Sequence, residues 1–428
     1  MVSRSCFFFR RLFSSLAPLS WLPAALLLLP LAGCGWANLG GHQSTLDVAG
    51  PVAESQRSVF LVTVWVTLFI FVVVGAVLAY AMIKFRARGR LRAADALPGQ
   101  DHGNPWIEVG LILASVGLLA IIAVPTMRAI WYTYDVPEAE RKDALEVVAT
   151  GYQWWFKFEY PTEKIALPAG GEGPLVTGNE LVVPAGRAVR VQLRTTDVIH
   201  SFWVPKLAGK VDMIPNRPNF LWFKATAPGY FYGQCAEFCG ESHAIMRFRV
   251  IALAPADYAA WLATQKLPAR ATSGTPRELA QIVPLQPADP AADRGGIRAA
   301  SPAFEADPLA GWKRQQELPA QEDADLIARG RALFQTKTCI GCHVVRGHEG
   351  VGIAGPDLTH VGSRTTIAAG VLANTPERMF QWVRDPAVFK PGNKMVHGGY
   401  IEPKTGRRLV TLDAQEITAL VAYLQHLK

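Results

Sequence analysis

The sequence predicts a multidomain chain: a two-helix transmembrane hairpin, a β-sandwich, and a small all-α domain at the C-terminal end. Three observations predict it. Two long uncharged runs, Val59 to Ile83 and Val109 to Met127, flank a basic stretch. Short β-branched runs broken by Pro, Gly and Asp fill residues 145–255, as strands of a sandwich do. A C-x-x-C-H motif near the end sits among amphipathic helical patterns. The 428 residues leave room for two or three domains, and half of them are hydrophobic. A net charge of +8 and a pI near 9.2 would suit nucleic acid, but the most obvious basic cluster lies beside apolar spans rather than on an aromatic-rich face. No nucleic acid partner is expected.

Residues 1–33 read as an export signal of lipoprotein type. Arg4, Arg10 and Arg11 form the charged start and Trp21 to Leu31 the apolar run of a segment that is removed on export. Its end, Leu31-Ala32-Gly33-Cys34, resembles a bacterial lipobox, which implies cleavage before Cys34 and acylation of its thiol. An ordinary signal with a chance cysteine, or an uncleaved anchor, are the alternatives. Residues 34–58 then form an exported N-terminal segment.

The first span, 59–83, has 25 residues without a charge. At 1.5 Å per residue it reaches roughly 37 Å, enough for a ~30 Å hydrocarbon core. The second occupies 107–133. Between them, 84–106 carries Lys84, Arg86, Arg88, Arg90 and Arg92, which makes it the cytoplasmic loop. Both termini and both folded domains then lie on the outer, periplasmic side of a bacterial inner membrane, in agreement with the export signal. The hairpin is expected to pack on a partner.

Residues 134–265 hold the all-β domain. Leu145 to Thr150, Glu180 to Pro184 and Ala188 to Leu193 are its clearest strands. Gly151-Tyr152-Gln153-Trp154-Trp155-Phe156 is an aromatic cluster, and alternation sends Trp154 and Phe156 to one face and Trp155 to the other. Near the end of the domain, Cys235-Ala236-Glu237-Phe238-Cys239-Gly240-Glu241-Ser242-His243-Ala244-Ile245-Met246 has the spacing C-x3-C-x3-H-x2-M. Thiolate, thioether and imidazole suit copper. A distant histidine is available at His200, in Asp197-Val198-Ile199-His200-Ser201-Phe202-Trp203. A mononuclear copper site needs one cysteine; a second, four residues on, points to a binuclear centre. A zinc site of His200, Cys235, Cys239 and His243 is an alternative that leaves Met246 unused. A Cys235–Cys239 disulfide is another.

From 266 to 324 prolines recur among Ala, Gly and charges, the composition of a mostly extended or irregular linker. As a flexible coil it would reach roughly 40 Å. A short helical piece such as Gly311 to Leu318 is expected to dock.

The last domain, 325–428, opens with a helix near Asp325. Cys339-Ile340-Gly341-Cys342-His343 reads as covalent attachment of one haem c through Cys339 and Cys342, with His343 on the iron. Two methionines could complete the ligation. Met379 falls in a helical pattern and reads as packing, whereas Met395 lies in the loop Lys390-Pro391-Gly392-Asn393-Lys394-Met395. A closing helix starts at Asp413, with Glu416 as its capping partner. Ile417, Leu420, Val421 and Leu424 form the inward stripe. His348, His360, His397 and His426 read as surface or core residues. The six cysteines are thus distributed among leader, copper run and haem motif, and no pair remains for a structural disulfide.

The D-V-I-H-S-F-W and C-A-E-F-C-G-E-S-H-A-I-M segments make residues 58–265 resemble subunit II of the haem–copper oxidases, the cytochrome c oxidase family. Gly355-Pro356-Asp357-Leu358 and the Met395 loop resemble parts of class I cytochromes c. The resemblance implies a cupredoxin-like β-sandwich with a binuclear CuA centre. Cys235 and Cys239 would bridge two coppers, His200 and His243 would be terminal ligands, Met246 a weak one, and Glu237 a ligand through its carbonyl. The Glu237 side chain would face a magnesium site shared with subunit I. Trp154 would be the electron-entry residue. Glu108 would stand near a proton entry, although the Trp-Thr-x-x-Pro usual after it is replaced by Gly110-Leu111-Ile112-Leu113.

The function implied is that of the electron-entry subunit of a terminal respiratory oxidase. It passes electrons from its fused haem to CuA and on to the haem/copper site of subunit I, where O2 is reduced to water with proton translocation. Subunits I and III and an external cytochrome or respiratory complex would be its partners. A tether would hold the haem near the copper at about millimolar effective concentration. The alternatives are a CuA-type subunit of a nitric oxide reductase, or a membrane-anchored electron carrier without catalytic partner. A quinol oxidase is disfavoured, because such relatives lack the copper ligands that are intact here.

Overall fold

The structure, a computed structural model, describes residues 40–86, 103–167, 170–287, 307–337, 339–350, 352–395 and 411–428. The export signal, Cys34, Arg88, Arg90, Arg92 and His397 lie outside them.

Two long helices come first, α1 (Pro51–Lys84) and α2 (Pro105–Tyr134). Both are long and apolar enough to cross a membrane. They expose Phe69, Phe71, Leu111 and Leu113, as surfaces facing lipid or a partner do. Helix α1 starts eight residues before the expected span because its first turn is part of the sandwich interface. Val52 and Ala53 are buried, and the Ala53 N–H donates to Leu207 O at 3.2 Å. Helix α2 is capped by Asn104, whose side chain accepts from Trp106 N. Its last turn also meets the sandwich, where Trp222 Nε1 donates to Tyr132 O at 3.2 Å. The start of α1 and the end of α2 therefore lie on one side, with the folded domain.

The sandwich has two five-stranded sheets. One has the order β3-β2-β1-β5-β8, from β1 (Leu145–Tyr152), β2 (Trp155–Ala166), β3 (Glu172–Gly178), β5 (Val189–Thr195) and β8 (Asn219–Phe223). The other runs β4-β10-β9-β6-β7, from β4 (Glu180–Pro184), β6 (His200–Trp203), β7 (Val211–Met213), β9 (Gly229–Cys235) and β10 (Arg247–Leu253). β1 pairs with β5, and β4 with β10, in parallel; the remaining pairs are antiparallel. Alternation along β2 sends Phe156, Phe158 and Tyr160 inward. Phe156 and Phe158 meet Phe202 and Phe248 of the opposite sheet at centroid separations of 4.7–6.4 Å. This ring cluster fixes the end of the sandwich where β6 begins and β9 ends.

Helix α3 (Pro255–Lys266) closes the sandwich. The described linker is irregular, as its composition predicts, apart from a 3-10 turn at Leu279–Gln281 and one docked helix, α4 (Pro308–Gln315). That helix begins three residues before the expected piece, at Pro308 and behind an Asp307 cap, and its Trp312 is only 3% exposed.

The C-terminal domain is built from α5 (Ala324–Thr336), α6 (Pro376–Arg384), α7 (Ala414–His426) and a ribbon of β11 (Thr366–Ile367) and β12 (Leu372–Ala373). Asp413 and Glu416 form the expected capping box of α7. Its stripe of Ile417, Leu420, Val421 and Leu424 is buried. Helices α5 and α7 cross at Gly330, where a Cβ would meet the Ala419 carbonyl and, at 2.7 Å, Tyr423 Cβ. Only glycine permits that approach.

Candidate metal centres and the domain interface

The end of the second sheet gathers the copper-type residues. His200 opens β6 and Cys235 closes β9, two strands paired at Phe202↔Cys235. Met246 lies just before β10, and its carbonyl accepts from Cys235 N at 2.9 Å. The loop between holds Cys239 and a 3-10 turn, His243–Ile245, which brings His243 back toward the thiols.

The distances order these donors in a row. Cys235 Sγ lies 3.9 Å from His200 Nδ1 and 3.7 Å from Cys239 Sγ. Cys239 Sγ lies 3.6 Å from His243 Nδ1 and 3.9 Å from Met246 Sδ. The Glu237 carbonyl is 3.3 Å from Cys235 Sγ. Each thiol thus has its own imidazole, with a carbonyl at one end and a thioether at the other. Both thiols are free, so the disulfide alternative is not what the structure holds. Among the described residues, the cluster whose donor atoms all lie within 4.8 Å of one another is His200, Cys235 and Cys239. His243 does not join it. One tetrahedral zinc, with bonds of about 2.0–2.3 Å, would draw all four donors together. The row would suit two metals better than one, and this soft N/S set suits copper.

Electrostatics prepare the donors. The Cys239 thiol hydrogen-bonds Cys235 and lowers its pKa, while Cys235 raises that of Cys239. Asp197 is a residue that sequence reasoning quoted within its motif but gave no role. Its carboxylate accepts from His200 Nε2 at 2.8 Å, which turns Nδ1 toward the sulfurs. Burial raises the Asp197 pKa, yet hydrogen bonds from His200, Gln153 N and Val198 N hold it at about 2. Burial lowers His200, but Asp197 and Cys235 outweigh this and raise it. The signal that could have found Asp197 is a carboxylate close in sequence to a candidate ligand histidine, since such a histidine's other ring nitrogen usually bonds a carboxylate, carbonyl or water.

Trp154 sits directly above this site. Its indole Nε1–H donates to Cys239 O at 2.9 Å, and Gln153 Nε2 donates to the same oxygen at 2.9 Å. The C-terminal domain covers the tryptophan and leaves it 7% exposed. Gly392 has φ +72°, and a Cβ there would meet Glu241 Oε2 and, at 2.8 Å, Trp154 Cη2. Only a glycine lets the Met395 loop lie on the ring. Lys390 Nζ donates to Trp154 O at 2.8 Å and Ile245 O at 3.1 Å. Ser242 Oγ donates to Pro391 O at 2.7 Å.

In the C-terminal domain, Cys339 and Cys342 are free and their motif turns back so that His343 N donates to Cys339 O. His343 Nδ1 donates to Pro356 O at 2.8 Å, which leaves Nε2 for a metal. Burial lowers the His343 pKa and favours the neutral ligand form. Gly355 leaves the imidazole its space, since a Cβ there would stand 2.7 Å from Nδ1. These features fit a haem iron on His343. Met395, half-buried, ends the described part of its loop. Met379 is buried in α6 as packing. Pro356 also abuts Gly178, beside Trp155, so the loops holding His343 and Met395 both rest on the same end of the sandwich.

The Glu237 side chain is partly exposed and lies 3.7 Å from Lys210 Nζ. Glu108 is exposed in the first turn of α2. His348 bonds Tyr423 Oη, His360 bonds Leu267 O, and His426 lies between Glu322 and Ala271 O.

Comparison with known proteins agrees with both centres. Residues 145–253 match the family model for the periplasmic domain of cytochrome c oxidase subunit II, and residues 327–428 match that for cytochrome c. Cytochrome c oxidase subunit 2 of Alkalihalophilus pseudofirmus is 32% identical over 411 residues, covering 95% of this chain and 96% of that protein. That of Bacillus sp. PS3 is 32% identical over 417 residues (94% and 95%), and that of Bacillus subtilis 29% over 418 (94% and 96%). With a copper-type donor row, a haem-type motif and relatives matched along nearly their whole length, the chain belongs to the cytochrome c oxidase subunit 2 family, in the form that carries a cytochrome c domain at its C-terminal end.

Proposed function

We propose that this chain is the electron-entry subunit of a terminal respiratory oxidase, taking electrons at its C-terminal domain and delivering them by way of Trp154 to a binuclear copper site and then to subunit I. Copper held by His200, Cys235, Glu237 O, Cys239, His243 and Met246, and haem c held by Cys339, Cys342, His343 and Met395, supply the one-electron carriers. The carrying observation is Trp154, which touches both halves: its N–H reaches Cys239 O and its ring lies under Gly392. The protein's own contribution is rigidity and dryness. The strands of a β-sandwich hold the donors, so a change of oxidation state moves them little, and the docked loop keeps water off the indole.

The remaining assignments follow from the same reading. The common side of the α1 start and the α2 end is the periplasmic side, the basic loop is cytoplasmic, and Cys34 is acylated. The Glu237 side chain faces a magnesium shared with subunit I, Glu108 serves a proton entry, and subunit III and an external cytochrome or respiratory complex complete the partners. The test is made on the complex extracted from native membranes in mild detergent. The haem is reduced artificially and oxygen and nitric oxide consumption are followed separately. Oxygen uptake co-purifying with the chain is expected; nitric oxide consumption alone, or neither activity, overturns the reading.

A further inference from the structure

The interface between the two folded domains is built from buried polar groups, which a loosely tethered domain does not need. Two clusters carry it, one bordering the copper-type loop and one at the opposite edge of the interface. On one side, Lys390 is 3% exposed, and its Nζ reaches over from the C-terminal domain to two main-chain oxygens of the sandwich, Trp154 O and Ile245 O. On the other, Glu180 of β4 is 6% exposed and gathers three donors from two other segments. Oε1 accepts from Thr365 N at 2.8 Å and Thr365 Oγ1 at 2.9 Å, and Oε2 accepts from Trp312 Nε1 at 3.0 Å. Arg249 lies between the clusters and donates to Gly370 O at 3.1 Å, while Arg247 N donates to Ala369 O at 3.1 Å.

Buried polar groups cost free energy unless each finds a partner, and Lys390 and Thr365 find theirs on the sandwich only when the domains are together. Separating the domains would leave Thr365 without the Glu180 carboxylate and Lys390 without either carbonyl, while Trp312, packed in the sandwich core, keeps Glu180 in place for docking. Such an interface has one low-energy pose. Buried hydrogen bonds are also screened little by salt, unlike the surface charge pairs of a transient encounter.

We propose that Glu180 and Lys390 are positioning residues that fasten the C-terminal domain to the sandwich in a single pose, which closes Trp154 to external protein electron donors and obliges them to dock on the C-terminal domain instead. The proposal rests on Trp154 as the entry residue only for its consequence; the fastening is read separately.

The experiment is hydroxyl-radical footprinting and amide hydrogen exchange on the full chain in its complex. In the wild type, Trp154 is expected to resist oxidation and the Thr365 amide to be protected, at low and high ionic strength alike. Glu180→Leu with Lys390→Met is expected to raise both Trp154 oxidation and Thr365 exchange at least tenfold, while amides of α7 stay protected. Should that variant unfold the domain, Glu180→Gln decides, because it keeps the side chain's size but offers an amide N–H to one of three donors; faster Thr365 exchange with α7 intact is expected. A wild-type Trp154 that oxidises freely, or becomes exposed as salt is raised, overturns the proposal. So does a folded variant in which both sites stay protected. Either failure would leave the electron-entry role of Trp154 standing, since oxygen uptake is measured independently.

Discussion

The indole N–H of Trp154 donates to the carbonyl oxygen of Cys239 at 2.9 Å, which joins an aromatic ring to the backbone of a copper-type ligand through one hydrogen bond. The same oxygen accepts from Gln153 Nε2, so it stays satisfied if the indole is removed. Trp154→Phe should therefore cost about 1 kcal/mol for the hydrogen bond, plus the packing lost where the larger ring fills a buried site. The copper spectrum should be unchanged. Transfer from the C-terminal domain to the copper, followed after a light pulse, should slow by about tenfold, equivalent to a barrier about 1.4 kcal/mol higher. An unchanged transfer rate would remove Trp154 from the route.

Asp197 fixes the His200 ring from behind, through Nε2 at 2.8 Å. Asp197→Asn keeps the shape but removes the charge that holds His200 in orientation. Copper affinity should fall by about 10–100-fold, the usual cost of losing such an outer partner. Competition with a chelator measures it. The covalent haem attachment should be untouched, since Asp197 reaches the C-terminal domain only at Lys394 Nζ, 3.6 Å away in the Met395 loop, among its described contacts and not at Cys339 or Cys342.

The proposed copper donors could be named from the sequence because five of the six sit in one run of twelve residues and the sixth in a second short motif. The haem motif was legible for the same reason. What escaped depends on tertiary approach. Glu180 reads as an ordinary strand residue, and only docking shows that it faces Trp312 and Thr365. Lys390 reads as part of a haem loop, yet its amine serves the other domain. Helix α1 starts early because Val52 and Ala53 pack on the sandwich, a contact that hydropathy along the chain cannot report. The linker composition suggested reach and freedom, whereas Trp312 pins its helical piece in the interface.

Lys390 also gives the interface a pH dependence. Burial pulls its pKa from 10.5 to about 7, with Arg247 acting in the same direction and Cys239 opposing. The separated domains would bind a proton there up to about pH 10.5, and the docked pair only up to about 7. The undocked state thus carries more protons between those values, and docking strengthens as pH rises through that window. Below about pH 7 the contribution is flat. Hydrogen exchange at Thr365 should slow from about pH 7 to 9 after correction for intrinsic exchange, and Lys390→Met should abolish the trend. A slope of the opposite sign would show that another group controls the interface.

Two methionines of the C-terminal domain make opposite predictions. Met379 is buried in α6, and its sulfur accepts from Gln425 Nε2 at 3.7 Å, a packing role within the domain. Met395 ends the loop that lies on Trp154 and is free of that core. Met379→Leu is a volume-conserving change and should cost less than about 1.5 kcal/mol, with the methionine-to-iron absorption band retained. Met395→Leu should abolish that band, lower the haem potential and open the iron to small ligands such as carbon monoxide, because a thioether opposite histidine both raises the potential and closes the site. The covalent haem should remain in both variants, since Cys339 and Cys342 are untouched. Loss of the band in the Met379 variant, with Met395 dispensable, would reverse the assignment.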